Sequence, residues 1–298
     1  MNIKKTLLLL LCVASLSAIA GTVSVKHSLG TTTVDHIPQR VVVIGIGPLD
    51  TLDYFGIKPI AVTKGTTFPP YLAQYDQDDI ASSGALFEPD FEAIYNLKPD
   101  LIIVGPRSAQ SYQELSEIAP TLLYVLDGKK TYWESTQTQW RNIGKLFDIS
   151  TKVEQTITRL DAQINAIKSH NEQHKVDALT IMSSGGNISA FGEKSRFSAI
   201  YNEFGYQDTI KNIKNSRHGD LVSYEFIRDA QPTNLFVLDR DVLVNKGKSE
   251  IRQQFENDLI KATPAYQNKR MIFLDINAWY LTIGGVTATQ QMITDMSH

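Results

Sequence analysis

The stretch FEAIYNLKPDLIIVGPR at residues 91–107 is echoed, without a gap, by YEFIRDAQPTNLFVLDR at residues 224–240. Identical residues pair Glu92 with Glu225, Ile94 with Ile227, Pro99 with Pro232, Val104 with Val237 and Arg107 with Arg240. Each copy has a capping residue ahead of it (Asp90, Ser223), a short helix opening on glutamate, a proline that stops the helix, an apolar strand and then an arginine. The repeat predicts two equivalent α/β lobes. In open α/β sheets ligands bind beyond the carboxyl ends of the strands, which directs Arg107 and Arg240 toward one shared cleft. Glu92 and Glu225 are expected at the other ends of their lobes, on the outer surface. A glutamate in a first helical turn is favoured by the helix dipole alone, and an arginine after a strand is a common surface charge. The equal spacing of both residues in two places is what points to a two-lobed binding protein that docks onto something.

The flanking sequence extends the same alternation. Arg40 to Ile44 predicts a buried strand, followed by Gly45-Ile46-Gly47-Pro48 and a helical stretch ending at Gly56. Short apolar runs recur at Ile60 to Val62, Leu101 to Val104 and Leu122 to Val125, with helical segments between. From about Thr138 to Lys175 the character changes. Val153, Ile157, Leu160, Ile164 and Ile167 recur at spacings of four and three, the stripe of one long amphipathic helix. Ala178 to Met182 restarts the alternation, which runs through Leu235 to Leu238 and Met271 to Leu274 to a closing helix at Ala288 to Met296. The expected organisation is a signal peptide at 1–20, an N-terminal lobe at 21–137, a linking helical region at 138–175 and a C-terminal lobe at 176–298.

Residues 1–20 have the form of a secretory signal: Lys4 and Lys5, an apolar centre from Leu7 to Val13, and Ala18-Ile19-Ala20 as a small-residue cleavage pattern. The apolar run is too short to span a membrane, and no later segment is long enough, so no membrane insertion is expected. Cys12, the only cysteine, lies in the part removed, so the mature chain is expected to have neither a disulfide nor a lipid-bearing cysteine. Loss of the two lysines leaves 27 basic against 32 acidic residues, a formal charge of −5. That balance argues against nucleic acid as a partner. A local cluster of arginines still sets the field in a groove whatever the total charge.

Enzyme templates fail along the chain. There is no Gly-x-Ser-x-Gly elbow and no His-Glu-x-x-His run. Val242 stands where a phosphate loop ending in Gly247-Lys248-Ser249 needs its first glycine, and Asp50 stands where a dinucleotide fingerprint opening on Gly45-Ile46-Gly47 needs its third. Ser183-Ser184-Gly185-Gly186 is either an anion cradle or a tight turn. His170 and His174 stand four apart among polar neighbours, the pattern of a solvated helix end. His218, in Asn215-Ser216-Arg217-His218-Gly219-Asp220, and Tyr280, in Asn277-Ala278-Trp279-Tyr280-Leu281, leave the second lobe near where Arg240 emerges.

At these positions the sequence resembles the periplasmic ferric-siderophore-binding proteins of the helical-backbone class, and within them the catecholate-binding branch. The resemblance covers nearly the whole mature chain. Its most specific segments are GEKSRFSAIYNEFGYQDTI (192–210), KNSRHGDLVSYEFIRDAQPTNLFVLDR (214–240), NAWYLTIGG (277–285) and EPDFEAIYNLKPDLII (88–103). It implies two Rossmann-like α/β lobes joined by a single long helix, the class III arrangement, in a monomer with no enzymatic activity that delivers cargo to an inner-membrane ABC permease. It implies Arg107, Arg196 and Arg240 as cleft arginines, Glu92 and Glu225 as the glutamates that meet the permease, and His218 and Tyr280 as iron ligands. The cargo it implies is Fe(III) bound as a siderophore complex, with no intrinsic cofactor. Ferric ion is hard, six-coordinate and oxygen-seeking; three catecholates saturate it and leave a trianion, while two leave positions open for an imidazole and a phenolate. Haem or cobalamin is the alternative cargo within binding proteins, and a secreted enzyme the alternative outside them. The sequence departs from the resemblance in the thinner glycine-rich stretch after Tyr280 and in an extra basic residue, Arg217.

Overall fold

The computed structural model describes residues 21–211, 213, 219–245 and 247–297. The first lobe is a parallel sheet of five strands, in the order Ala81–Ser82, Ala61–Val62, Val41–Ile44, Leu101–Val104 and Thr121–Leu123. Its two central strands, VVVI and LIIV, are buried at every position, as a sheet covered on both faces requires. Val41 pairs with Leu101 and Ile44 with Val104. A two-stranded ribbon, Val23–His27 with Gly30–Val34, packs beside it, and the Thr32 hydroxyl donates to the Thr121 carbonyl at 2.6 Å.

The second lobe orders its strands Asp220–Val222, Asn187–Phe191, Asp177–Ser184, Leu235–Asp239 and Met271–Phe273, and Gln207–Asp208 pairs with the start of the third. The pairings of Leu235–Asp239 with its two neighbours are parallel. Asn187–Phe191 returns antiparallel along Asp177–Ser184 through Gly185 and Gly186, both at positive φ (59° and 78°), the pair of conformations a two-residue hairpin turn needs. Ser183-Ser184-Gly185-Gly186 is therefore a tight turn.

The echoed segments take the predicted form. Phe91–Asn96 and Tyr224–Ala230 are helices; the Asp90 carboxylate accepts from the Ala93 amide (2.9 Å) and the Ser223 hydroxyl from the Phe226 amide (3.3 Å). Each cap satisfies one of the amides a helix start leaves without an internal partner. Ile94 and Ile227, the paired apolar residues, are fully buried.

The spine is the helix Ser150–His174, 25 residues long and so about 37 Å end to end. It buries Val153, Ile157, Leu160 and Ile164, four of the five residues of the stripe, and leaves Ile167 partly covered. A separate helix, Tyr132–Leu146, precedes it and begins ahead of Thr138 because Thr131 and Glu134 form a reciprocal capping box. The chain reverses at Phe147 to Ile149, with Asp148 at φ 53°, and Gly144 lets the two helices close on Val153. One continuous apolar core joins the lobes through the spine: Val41 and Val43 of the first sheet, Trp140, Leu160, Phe236 of the second sheet and Trp279 all belong to it. The alternate residues Val42 and Ile44 face the other side of the first sheet with Ile94, as the strand period of two demands. No helix among the described residues is long and apolar enough to cross a membrane.

Candidate functional site

Three side chains reach the cleft from the carboxyl ends of parallel strands. Arg107 follows Leu101–Val104 through Gly105-Pro106, Arg240 follows Leu235–Asp239 directly, and Tyr280 sits in a π-helical turn, Asn277–Leu281, after Met271–Phe273. Arg196 arrives from the segment after the hairpin strand Asn187–Phe191. It is held there by buried Phe197, whose ring meets Phe191 edge to face with centroids 4.9 Å apart.

The three guanidinium groups surround one ring. Their central carbons lie 4.0 Å (Arg196), 5.6 Å (Arg240) and 6.0 Å (Arg107) from the Tyr280 centroid, within the range of a cation-π contact. Arg240 also donates to the Ser184 hydroxyl at 2.8 Å, so the hairpin turn orients this arginine. Burial pushes the Tyr280 phenol up, but the positive charges of Arg196 and Arg240, a hydrogen bond from Arg196 and the charge of Arg107 outweigh it and hold the phenol below its ordinary value. The structure thus brings together four of the five residues expected in the cleft. His218, the fifth, and its neighbour Arg217 lie outside the described residues.

Arg107, Arg196 and Tyr280 line a cavity of about 540 Å³ between the lobes. Apolar side chains, Phe87, Val125, Leu126 and Ile283, line it as well. The cleft thus offers an anion the cations gathered around Tyr280 and offers flat carbon-rich rings apolar side chains in the same cavity. Phe87 and Leu126 as lining residues were missed in the sequence, because they lie in connecting segments with no periodicity. Among the described residues, no group of three or more His, Cys, Asp or Glu side chains is placed to hold a metal ion. The His170 and His174 rings stack 4.3 Å apart at the spine end, and His174 Nδ1 is engaged with the His170 carbonyl at 2.8 Å.

Glu92 and Glu225 are exposed, as expected, but their expected position at the far ends of the lobes is corrected. Each opens a helix that runs antiparallel to the strand it precedes, so each lies at the edge where the parallel strands end. The Asp90 amide donates to the carbonyl of Ser83, just past Ala81–Ser82, and Val222 pairs with Ile188, which faces Ser183 at the end of Asp177–Ser184. Both glutamates therefore share the edge that carries the arginines. Hydrogen bonds from Ser223 and from its own amide hold the Glu225 carboxyl below the usual carboxylate range.

The model of the periplasmic binding protein family Peripla_BP_2 matches residues 41–278. The crystal structure of the periplasmic catecholate-siderophore binding protein VctP of Vibrio cholerae superposes with a TM-score of 0.88 at 55% identity, covering 92% of this chain and 99% of that one. The petrobactin-binding protein YclQ of Bacillus subtilis is 40% identical over 92% of this chain and 87% of its own, and its crystal structure superposes with a TM-score of 0.84. The ferric-anguibactin-binding protein FatB of Vibrio anguillarum is 31% identical over 91% of this chain and 85% of its own. Family and fold are those of substrate-binding proteins rather than enzymes, and a location outside the cytoplasm is typical of them. With two α/β lobes on a helical spine and a family match spanning most of its length, this chain belongs to the periplasmic binding protein family.

Proposed function

We propose that the protein captures ferric catecholate siderophores in the cleft between its lobes and hands them to an inner-membrane ABC importer. The observation that carries this reading is the set of three guanidinium groups around Tyr280, two of which, Arg107 and Arg196, line with it a cavity that also presents apolar side chains. A ferric tris-catecholate is a trianion of flat rings; three arginines match its charge, and their planar donors suit chelated oxygens better than lysine ammonium groups do. The relatives support the cargo class: VctP binds catecholate siderophores, YclQ petrobactin and FatB ferric anguibactin.

Tyr280 divides the work. When a siderophore supplies only two catecholates, two iron positions stay open; the Tyr280 phenolate fills one, and His218, on chemical grounds, the other. The neighbouring arginines already favour loss of the phenol proton. A tris-catecholate has no open position and is held by charge. Arg107, Arg196 and Arg240 thus serve as the siderophore-binding residues. Glu92 and Glu225 are the docking points for arginines of the permease, supported by their exposure and by their shared edge with the cleft, so that a docked permease faces its mouth. Residues 1–20 serve as the export signal that delivers the mature chain to the periplasm.

Titration with ferric bis-catecholate and ferric tris-catecholate, recording tryptophan quenching and the visible band, tests the reading. Saturable quenching by both is expected, since Trp279 adjoins Tyr280 and ligand-to-metal bands overlap indole emission. Binding of haem or cobalamin with no response to either chelate would overturn it.

A further inference from the structure

Asp50 is fully buried in the first-lobe helix Ile46–Phe55, yet its carboxylate serves the second lobe. One oxygen accepts from the Thr287 amide at 2.8 Å; the other accepts from the Ala288 amide at 3.0 Å and from the Tyr71 hydroxyl at 2.6 Å. Those two amides open the closing helix Val286–Met296, whose own N-cap residue is Gly285 and brings no side chain. Asp50 caps that helix from across the interface, a favourable place for a carboxylate. The approach is close: a Cβ on Gly285 would stand 2.4 Å from the Asp50 carboxyl carbon, and one on Gly47 would stand 2.5 Å from the Ile283 carbonyl oxygen. More first-lobe and hinge groups hold the same segment. Tyr124 and the Trp140 indole donate to the Gly284 carbonyl at 2.6 and 2.8 Å, and the Gly284 amide donates to the Tyr132 hydroxyl at 3.2 Å.

Tyr280 lies just before this clamped stretch. On its other side the turn is tied to the second lobe: the Ala278 amide donates to Asp275, and the Trp279 indole and the Asp275 amide both donate to Asp295. Tyr280 is therefore suspended between one anchor in each lobe. Arg107 belongs to the first lobe, Arg196 and Arg240 to the second, so the anchor in the first lobe fixes how Tyr280 and its two near arginines stand against the Arg107 wall.

We propose that Asp50 is a positioning residue for the cargo site: by capping the closing helix across the interface it sets the place of Tyr280 in the cleft. This rests on the reading of Tyr280 as the phenolate that meets ferric bis-catecholate. In Asp50→Asn an NH2 that cannot accept replaces one of the two carboxylate oxygens, each of which takes one helix amide, so at least one N–H loses its acceptor and the segment shifts.

The test is a double-mutant cycle of Asp50→Asn and Tyr280→Phe, reading ferric bis-catecholate affinity, visible absorbance per bound iron at saturation, and amide hydrogen exchange at residues 283–288. In Asp50→Asn the affinity should fall about tenfold, the tyrosinate share of the band should drop as it does in Tyr280→Phe, and exchange should accelerate. In the Tyr280→Phe background the same change should cost no further affinity. An equal affinity loss in both backgrounds, or an unaltered band per bound iron, assigns Asp50 a structural role only and overturns the proposal. Tyr71→Phe keeps the carboxylate on both amides and removes one bond, so it should move all three readouts the same way, but less, should Asp50→Asn not fold. Wild-type protein that binds neither ferric chelate would instead overturn the reading of the cleft itself.

Discussion

The Arg196 guanidinium carbon lies 4.0 Å from the centroid of the Tyr280 ring, nearer than Arg240 at 5.6 Å or Arg107 at 6.0 Å. Of the two arginines that line the cavity, Arg196 is the one packed closer to the phenol ring. Removing a charge-assisted contact of this kind costs about 1.5–3 kcal/mol, or about 10–100-fold in affinity. Arg196→Ala should weaken ferric tris-catecholate binding by that factor, and Arg196→Lys should recover part of the loss, since the charge returns without the planar fork. Tryptophan-quenching titrations measure both. An alanine variant that binds as tightly as wild type would remove Arg196 from the site.

In the proposed binding mode the cargo's own coordination number decides what Tyr280 contributes. Tyr280→Phe keeps the ring that the arginines surround and removes only the oxygen. Ferric bis-catecholate should then bind at least tenfold more weakly and lose intensity in its visible band, while ferric tris-catecholate should change by less than about threefold. His218→Ala should follow the same division. Equal losses for both chelates would mean that the phenol and imidazole contribute to shape or charge rather than to the iron.

The gapless echo between residues 91–107 and 224–240 made the lobes legible, because capping, proline and strand signals are local and each copy carries them all. The spine was legible from five apolar residues at helical spacing. Two features were not. The glutamates were expected at the wrong edge, since a helix before a strand reverses direction and brings its first turn back to the strands' carboxyl ends. Asp50 was visible only as the residue that spoils a glycine fingerprint; that it caps a helix more than two hundred residues later is a tertiary fact with no trace in local pattern. The apolar cleft lining fails to announce itself for a similar reason, as Phe87 and Ile283 come to one cavity only when the lobes meet.

Variants of the two exposed glutamates test the proposed delivery step apart from capture. Glu92→Ala and Glu225→Ala lie on surface helices already capped by Asp90 and Ser223, so folding and chelate affinity should stay within about 0.5 kcal/mol of wild type. Siderophore-dependent growth, or stimulation of the importer's ATPase in vesicles, should fall in each single variant and nearly vanish in the double. Full uptake by the double variant would assign the docking contact elsewhere.

The buried carboxylate of Asp50 should leave a signature in the pH dependence of stability. Burial drives its pKa from the ordinary 3.8 up to about 6, against the hydrogen bonds from Tyr71, Thr287 and Ala288 that pull it down. The folded protein therefore keeps this proton to about pH 6, whereas the unfolded chain releases it near 3.8. The group's contribution is full below the lower value and is lost as pH climbs through about 6, a change of about 3 kcal/mol. Asp295, Asp208 and Glu203 are also raised by burial, so the wild-type curve mixes several groups. The difference between wild type and Asp50→Asn isolates one of them. Urea unfolding of both proteins between pH 3.5 and 7 should show the wild type's advantage shrinking as pH rises. A difference that stays flat, or grows toward pH 7, would mean that the carboxylate is stabilised across the interface far better than its burial implies.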